Sequence, residues 1–284
     1  MESLETSAEP IVEVKRKTES VGEIRQRIQA EFAKLGVPKC PDRIVERFIV
    51  LEQNSEFNSG SRMIREGVRK LLLAIDKKGI SISTEKQRKT ILAAFIGDIG
   101  KSSSSDNSDC QLAVVKLFSI ANIQNGNQTV GETLQASFPN EIDDMTSGLS
   151  AIGVIPSMTM RAFWDKHAFW TKDILDKFAG DFSESTRIIA ASHHIDRGID
   201  PYKIETTETK DKIPDELRNC IYVFMIVDKY QAKIYRGGAT HEEAIQYLKN
   251  DLRKYNGDSV INSLIDSVDE LGGAGKLFPK NMRL

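Results

Sequence analysis

Cysteine and histidine are the scarce residues of this chain. Only three cysteines and four histidines occur among its 284 residues. The cysteines, Cys40, Cys110 and Cys220, are widely spaced and odd in number, and they form no C-x-x-C pair. This pattern excludes a cysteine-based zinc ribbon and fits a reducing compartment better than a disulfide framework.

The chain also lacks an excess of charge of one sign and a long apolar run. Its net charge of −2 gives no global basic field for nucleic acid or for an anionic membrane. The longest apolar run, at 220–227, is far shorter than the ~18–20 residues that span a bilayer. The opening MESLETSAEP has neither a basic start nor an apolar stretch, so we expect no signal peptide. These features predict a cytoplasmic protein without a membrane span.

What the sequence does contain is helical periodicity. Hydrophobic residues make up 40% of the chain, which is enough for a sizeable core. Apolar residues recur three and four apart from Val21, where the pattern ends at Gly36, and over 61–78, where it ends at Gly79. Thr240 and Glu243 have the spacing of a capping box. No run of alternating strands occurs, so the sequence predicts an all-α fold.

The helical pattern is uneven along the chain. The polar residues 1–20 are interpreted as a flexible tail, 21–56 as short accessory helices, and 57–284 as the main helical domain. Between 102 and 156 we predict one helix, QLAVVKLFSIANI, followed by a weakly patterned stretch. The run Ser102–Ser105 is interpreted as a flexible loop, because the glycine spacing of a phosphate-binding loop is missing.

Three of the four histidines follow one another closely. His193 and His194 are adjacent near the predicted end of a helix, and His167 lies in the helix before it. Adjacent residues on a regular helix point about 100° apart, so both can reach one metal only where the helix ends. Asp98 and Asp228 each follow an apolar stretch. A histidine–aspartate metal site is one interpretation; packed histidines and solvated helix-end acids are the other.

Four segments resemble the HD-domain superfamily of metal-dependent phosphohydrolases, and most closely its HD-GYP branch. The family's motifs include H-D-I-G-K, a lone histidine, H-H-E with a downstream G-Y-P, and A-D-x-x-D-A-L. The matching segments, in the same order, are FIGDIGK (95–101), KHAFWTKDIL (166–175), ASHHIDRGIDPY (191–202) and IVDKYQAKIYRGGATHEEAIQYL (226–248). The resemblance implies an HD-like helical bundle over 57–284, with an insertion at 102–150.

The resemblance also implies a set of site residues. Asp98 would bridge two divalent transition metals, iron, manganese or nickel, and with Lys101 would serve catalysis. Lys101 and Arg236 would contact a substrate phosphate, and a cyclic dinucleotide would be the substrate class. The metal ligands implied are Asp98, His167, His193, His194 and Asp228.

Departures from the family pattern leave a second hypothesis open. Gly97 replaces the histidine of the H-D pair, no histidine precedes His167, and Gln231 replaces the last aspartate. One metal position would keep its ligands and the other would lose its imidazoles, so one or two metals per chain are expected. The first hypothesis is a divergent phosphohydrolase or phosphodiesterase. The alternative is an inactive HD-like signalling module that binds a nucleotide, a protein partner or a second copy of the chain.

Overall fold

The computed structural model describes residues 19–54, 57–120, 126–204, 214–255 and 257–278; the side chains of 57–59 are outside this description. Within these ranges the chain forms α-helices and no β-strand, which confirms the predicted all-α fold. The predicted flexible tail lies almost entirely outside the described residues. The helices are α1 (Val21–Lys34), α2 (Asp42–Asn54), α3 (Phe57–Asp76), α4 (Thr84–Ile96), α5 (Ser108–Phe118), α6 (Val130–Ser137), α7 (Ile142–Ser150), α8 (Met160–Asp176), α9 (Glu184–Ala191), α10 (Asp215–Gln231), α11 (His241–Asp251) and α12 (Ser259–Gly273).

Several helix ends are set by capping boxes and glycine turns, whose residue types are visible in the sequence. Ser20, Thr129 and Thr240 each cap a helix through a capping box with a glutamate three residues later. After α1 and α3 the chain turns at Gly36 and Gly79, whose φ angles of 88° and 80° suit glycine. The predicted helix ends at Gly36 and Gly79 and the predicted capping box of Thr240 and Glu243 are therefore confirmed.

The main core surrounds α10. The residues from Cys220 to Gln231 are all buried, because α10 packs against α3, α4, α9, α11 and α12. A helix that is apolar on every side needs such a central position to bury its surface. Among the described residues, no helix combines the length and the apolarity needed to cross a membrane.

A second, smaller core lies in the region where the sequence indicated an insertion. Three helices, α5, α6 and α7, pack on the first turns of α8 around Val114, Leu134, Leu149 and Phe163. The predicted helix QLAVVKLFSIANI is confirmed by α5 over residues 111–118, but the stretch interpreted as weakly patterned contains two helices that were not predicted, α6 and α7. Helices α6 and α7 have only eight and nine residues, and such short elements show little periodicity.

The serine-rich segment after Lys101 is held firmly, so its interpretation as a flexible loop was wrong. Ser102 and Ser103 are fully buried. The guanidinium of Arg47, itself only 2% exposed, donates hydrogen bonds to the carbonyl oxygens of Ser102, Ser103 and Ser105 and to the Asp106 carboxylate. A planar guanidinium with several donors can satisfy such a group of loop acceptors at once.

Candidate metal centre

Two helix ends and one helix interior bring the candidate ligands together. His167 lies in the middle of α8, and α9 packs on α8. Helix α9 ends at Ala191, so His193 and His194 lie in the turn that follows it. Asp98 follows the end of α4, in the turn before a short 3₁₀ helix over Ile99–Ser102. The two adjacent histidines can therefore face one point, as the predicted helix end requires.

The three histidines form one compact group. One ring nitrogen of His167, one of His193 and one of His194 all lie within 4.8 Å of one another. His167 and His193 are buried, and His194 is half-buried. In the part of the chain that the structure describes, this is the group of potential metal ligands that is close enough to share an ion.

The tautomers of the two buried histidines are set by backbone carbonyls. Nδ1 of His167 contacts the carbonyl oxygen of Trp164, and Nδ1 of His193 contacts that of Ala190 at 2.7 Å. A carbonyl oxygen only accepts, so each Nδ1 carries the hydrogen. In the neutral ring, Nε2 then keeps its lone pair free for a ligand.

Three acceptor atoms face one another at short range: Nε2 of His167, Nε2 of His193 and Oδ1 of Asp98. The two Nε2 atoms are 3.4 Å apart. Oδ1 of Asp98 lies 3.4 Å from Nε2 of His167 and 3.9 Å from Nε2 of His193. A tetrahedral ion with bonds of about 2.0–2.1 Å to imidazole holds its donors ~3.3–3.4 Å apart. The donor set therefore fits a divalent transition metal in both chemistry and spacing.

The carboxylate of Asp98 is ionised in this setting. Burial alone would raise its pKa, but the charge of the Lys101 ammonium group and its hydrogen bond lower it, and the pKa stays well below its usual range. Nζ of Lys101 lies 2.7 Å from Oδ2 of Asp98. The two oxygens of Asp98 thus have separate neighbours, the histidines at Oδ1 and the ammonium group at Oδ2.

The imidazoles of His167 and His194 are neutral at pH 7. Burial lowers the pKa of His167 to about 3, although Asp98 acts in the opposite direction. Burial and the other two histidines hold the pKa of His194 well below its ordinary value of 6.5. Neutral imidazoles beside an ionised carboxylate are the protonation states in which these groups bind a metal.

Thr171 and Gly100 lock the Asp98 turn onto α8. The Thr171 hydroxyl, fully buried, donates to the carbonyl oxygen of Gly97 at 2.8 Å and accepts from the Gly100 amide at 3.1 Å. A Cβ on Gly100 would lie 2.0 Å from the His167 carbonyl oxygen, so only glycine permits this approach. Because Thr171 is one turn after His167, the same helix face holds both the ligand and its support.

Helix α10 contributes an aromatic wall to the centre. The ring of Phe224 stacks on the His193 imidazole, with centroids 4.6 Å apart and planes 16° apart. The same ring lies against Gly97, where a Cβ would come within 2.5 Å of Phe224 Cζ. The sequence analysis did not identify Phe224, Thr171 or Gly100 as part of the site. Phe224 and Thr171 each lie one helical turn from a predicted ligand, Asp228 and His167, and Gly100 lies two residues after Asp98. This proximity in sequence could have identified them as neighbours of the site.

The remaining predicted site residues, Asp228, Arg236 and Lys101, are not part of the three-histidine group. Asp228 is 6% exposed and lies one helical turn after Phe224 on α10. Among the described residues, it is outside the group of donors within 4.8 Å that the three histidines form. Arg236 is exposed, at the end of a π-helical turn over Ala232–Arg236 that continues α10. Lys101, beside Asp98, has a side chain that is 21% exposed.

We compared the chain with family models, with curated proteins and with solved structures, and none of them matched.

Proposed function

We propose that this chain is a metal-dependent phosphohydrolase or phosphodiesterase with its reaction centre at the three-histidine group. One observation carries the proposal: Nε2 of His167, Nε2 of His193 and Oδ1 of Asp98 converge within 3.4–3.9 Å, and in the neutral rings both Nε2 atoms are acceptors because each Nδ1 carries the hydrogen. Buried acceptors that face one another in this way repel unless a cation joins them.

His167, His193, His194 and Asp98 would hold the metal, and Asp228 is a further ligand in this proposal. A divalent transition metal such as iron, manganese or nickel would supply Lewis acidity for a phosphoryl oxygen and for an attacking water. The two backbone-fixed imidazoles orient their Nε2 atoms, and the half-buried His194 is on the accessible side of the group.

Lys101 is the residue placed to serve a phosphate. Its ammonium group has three donors, one of which is used by Asp98, and its side chain is partly exposed. The other donors would bind a phosphate oxygen and stabilise the charge that develops there. The exposed Arg236 is proposed as a second anion contact. The segment GIDPY, with its resemblance to G-Y-P, supports a cyclic dinucleotide as a substrate to be tested.

The test is hydrolysis by the full chain after separate reloading with Mn²⁺, Fe²⁺ or Ni²⁺. The substrates are bis(p-nitrophenyl) phosphate, p-nitrophenyl phosphate and cyclic di-GMP. We expect metal-dependent turnover that is lost in His193→Ala and retained in His241→Ala. In Lys101→Met, kcat should fall about 100-fold, as when one donor to developing charge is removed. Turnover that survives His193→Ala would refute the site.

A second function has its own observation in favour. Phe224 lies against Gly97, and Lys101 already neutralises Oδ2 of Asp98, so the centre has few free positions for reactants. A signalling module that binds metal and a nucleotide or partner without turnover is consistent with this. It predicts saturable binding of cyclic di-GMP to the metal-loaded chain, with no product under any of the three metals.

A further inference from the structure

Gly97 is a glycine for a steric reason. Its backbone has φ −58° and ψ −32°, an ordinary helical conformation that any residue adopts. A Cβ at this position would lie 2.5 Å from Cζ and 2.6 Å from Cε1 of Phe224. The neighbour that forbids a side chain is therefore the ring of Phe224, and the backbone does not require glycine.

Phe224 has a second contact that holds its ring in this place. The ring is 2% exposed and stacks on the imidazole of His193, which contributes one of the converging Nε2 atoms. The volume beside Gly97, next in sequence to Asp98, is consequently filled by carbon. Offset aromatic stacking and tight packing make this arrangement costly to open.

The second oxygen of Asp98 is also occupied. Oδ1 faces the histidines, whereas Oδ2 accepts a hydrogen bond from Lys101 at 2.7 Å. A carboxylate joins two cations by giving one oxygen to each. Here the position that a second cation would need at Oδ2 already has an ammonium group, and the volume where a side chain of residue 97 would lie has the Phe224 ring.

We infer that the centre is built for a single divalent cation, and that Phe224 is the residue that excludes a second one. The inference rests on the metal centre proposed above and adds its stoichiometry. In this arrangement, the Lys101 ammonium group provides the second positive charge next to Asp98. A phosphate at the centre would then meet one metal and one lysine.

The first test uses the unmodified full chain and Mn²⁺ alone. The chain is stripped with a chelator, reloaded with excess Mn²⁺, desalted and analysed by elemental analysis and electron paramagnetic resonance. We expect one Mn²⁺ per chain with the signal of an isolated ion. Two Mn²⁺ with spin coupling would overturn the inference and leave the metal centre standing. No bound Mn²⁺ would overturn both.

The second test reopens the filled volume. Gly97→His combined with Phe224→Ala places a new imidazole next to Asp98 where the ring was. The matched control, Gly97→Ala with Phe224→Ala, opens the same volume without a new ligand. We expect about two Mn²⁺ per chain in the first variant and one in the control.

Both variants are checked for a cooperative thermal transition before loading. If the histidine variant folds and still binds one Mn²⁺, the role given to Phe224 is wrong. If the control gains a second Mn²⁺ as well as the histidine variant, the ring excludes the ion without any need for a new ligand, and the inference stands. If neither variant folds, the stoichiometry of the unmodified chain decides the inference.

Discussion

The four histidines of this chain occupy two regions that differ in the hydrogen-bond partners of their ring nitrogens. His167 and His193 have Nδ1 satisfied by a backbone carbonyl, but their Nε2 atoms face each other and a carboxylate. In His241 both nitrogens are used: Nδ1 accepts from the Tyr230 hydroxyl at 2.8 Å, and Nε2 lies 2.8 Å from the Asp269 carboxylate.

This contrast separates a ligand site from a structural contact. The group around His241 is complete within the protein, because a phenol donates to the ring and the ring donates to an acid. Gly272 and Gly273 of α12 leave room for it, since a Cβ on Gly272 would lie 2.4 Å from the Tyr230 oxygen. In the function proposed above, a cation completes the three-histidine group.

The largest effect is expected on metal affinity. His193→Ala removes a direct donor, so Mn²⁺ affinity should fall by more than ~100-fold, beyond what the loss of an outer partner costs. His241→Ala removes the satisfied histidine and should leave the affinity unchanged. Equilibrium dialysis of both variants with Mn²⁺ measures the difference. Equal losses in the two variants would remove the distinction between the regions.

The metal-free protein should lose stability as the pH falls. Burial lowers the pKa of His167 to about 3 and that of His194 well below 6.5. Below about pH 6.5 the unfolded chain therefore binds protons that the folded chain does not, and the free energy of unfolding decreases. Each of the two histidines contributes at most ~1.4 kcal/mol per pH unit.

Urea unfolding of the chelator-treated protein between about pH 7 and pH 4.5 measures this slope, since the contribution of Asp98 enters only near or below its ordinary pKa of 3.8. His167→Gln cannot titrate and should show a shallower decrease. A flat profile in the unmodified chain would mean that these imidazoles are not held neutral.

The close approach of the Asp98 turn to α8 should be intolerant of a methyl group. Gly100→Ala places Cβ 2.0 Å from the His167 carbonyl oxygen, so the turn must move away from the helix. We expect a loss of about 1–3 kcal/mol in the free energy of unfolding, with weaker Mn²⁺ binding because His167 and Asp98 separate.

Gly180→Ala is the matched control for this substitution. No atom lies within 4 Å of the Cβ it would add, and its backbone needs no positive φ. Its stability should change by less than ~1 kcal/mol, in the favourable direction. Similar destabilisation by the two substitutions would show that the approach of Gly100 to α8 has no special role.

The smallest effect is expected at the satisfied histidine. Tyr230→Phe removes the hydroxyl that donates to Nδ1 of His241 and leaves that nitrogen without its donor. The cost should be about 1 kcal/mol, and Mn²⁺ affinity should not change. A loss of affinity in this variant would show that the two regions are coupled through α10.

The sequence indicated the helices well because their signals are local. The capping box of Thr240 and Glu243 and the glycine after α1 are each readable within a few residues. The end of α9 before His193 follows from the same kind of evidence, and it makes the adjacent pair usable. The short helices α6 and α7 were missed, since eight or nine residues give too little periodicity.

The surroundings of the ligands depend on contacts between distant segments. The residues next to Ser103 do not indicate that its carbonyl oxygen accepts a hydrogen bond from Arg47, which lies 56 residues earlier in the chain. The stacking of Phe224 on His193 and the approach of Gly100 to α8 also join separate helices. A single sequence supplies residue types and spacing, but the packing that turns Gly97 into a constraint exists only in the folded chain.

The most direct test of the central claim is elemental analysis of the purified, untagged chain after reloading with manganese, iron or nickel. The account predicts about one ion per chain, retained through desalting in the unmodified protein and absent from the His167→Ala/His193→Ala variant. Absence of all three metals from the unmodified chain, with its fold intact, would contradict the claim that the three-histidine group is a metal centre.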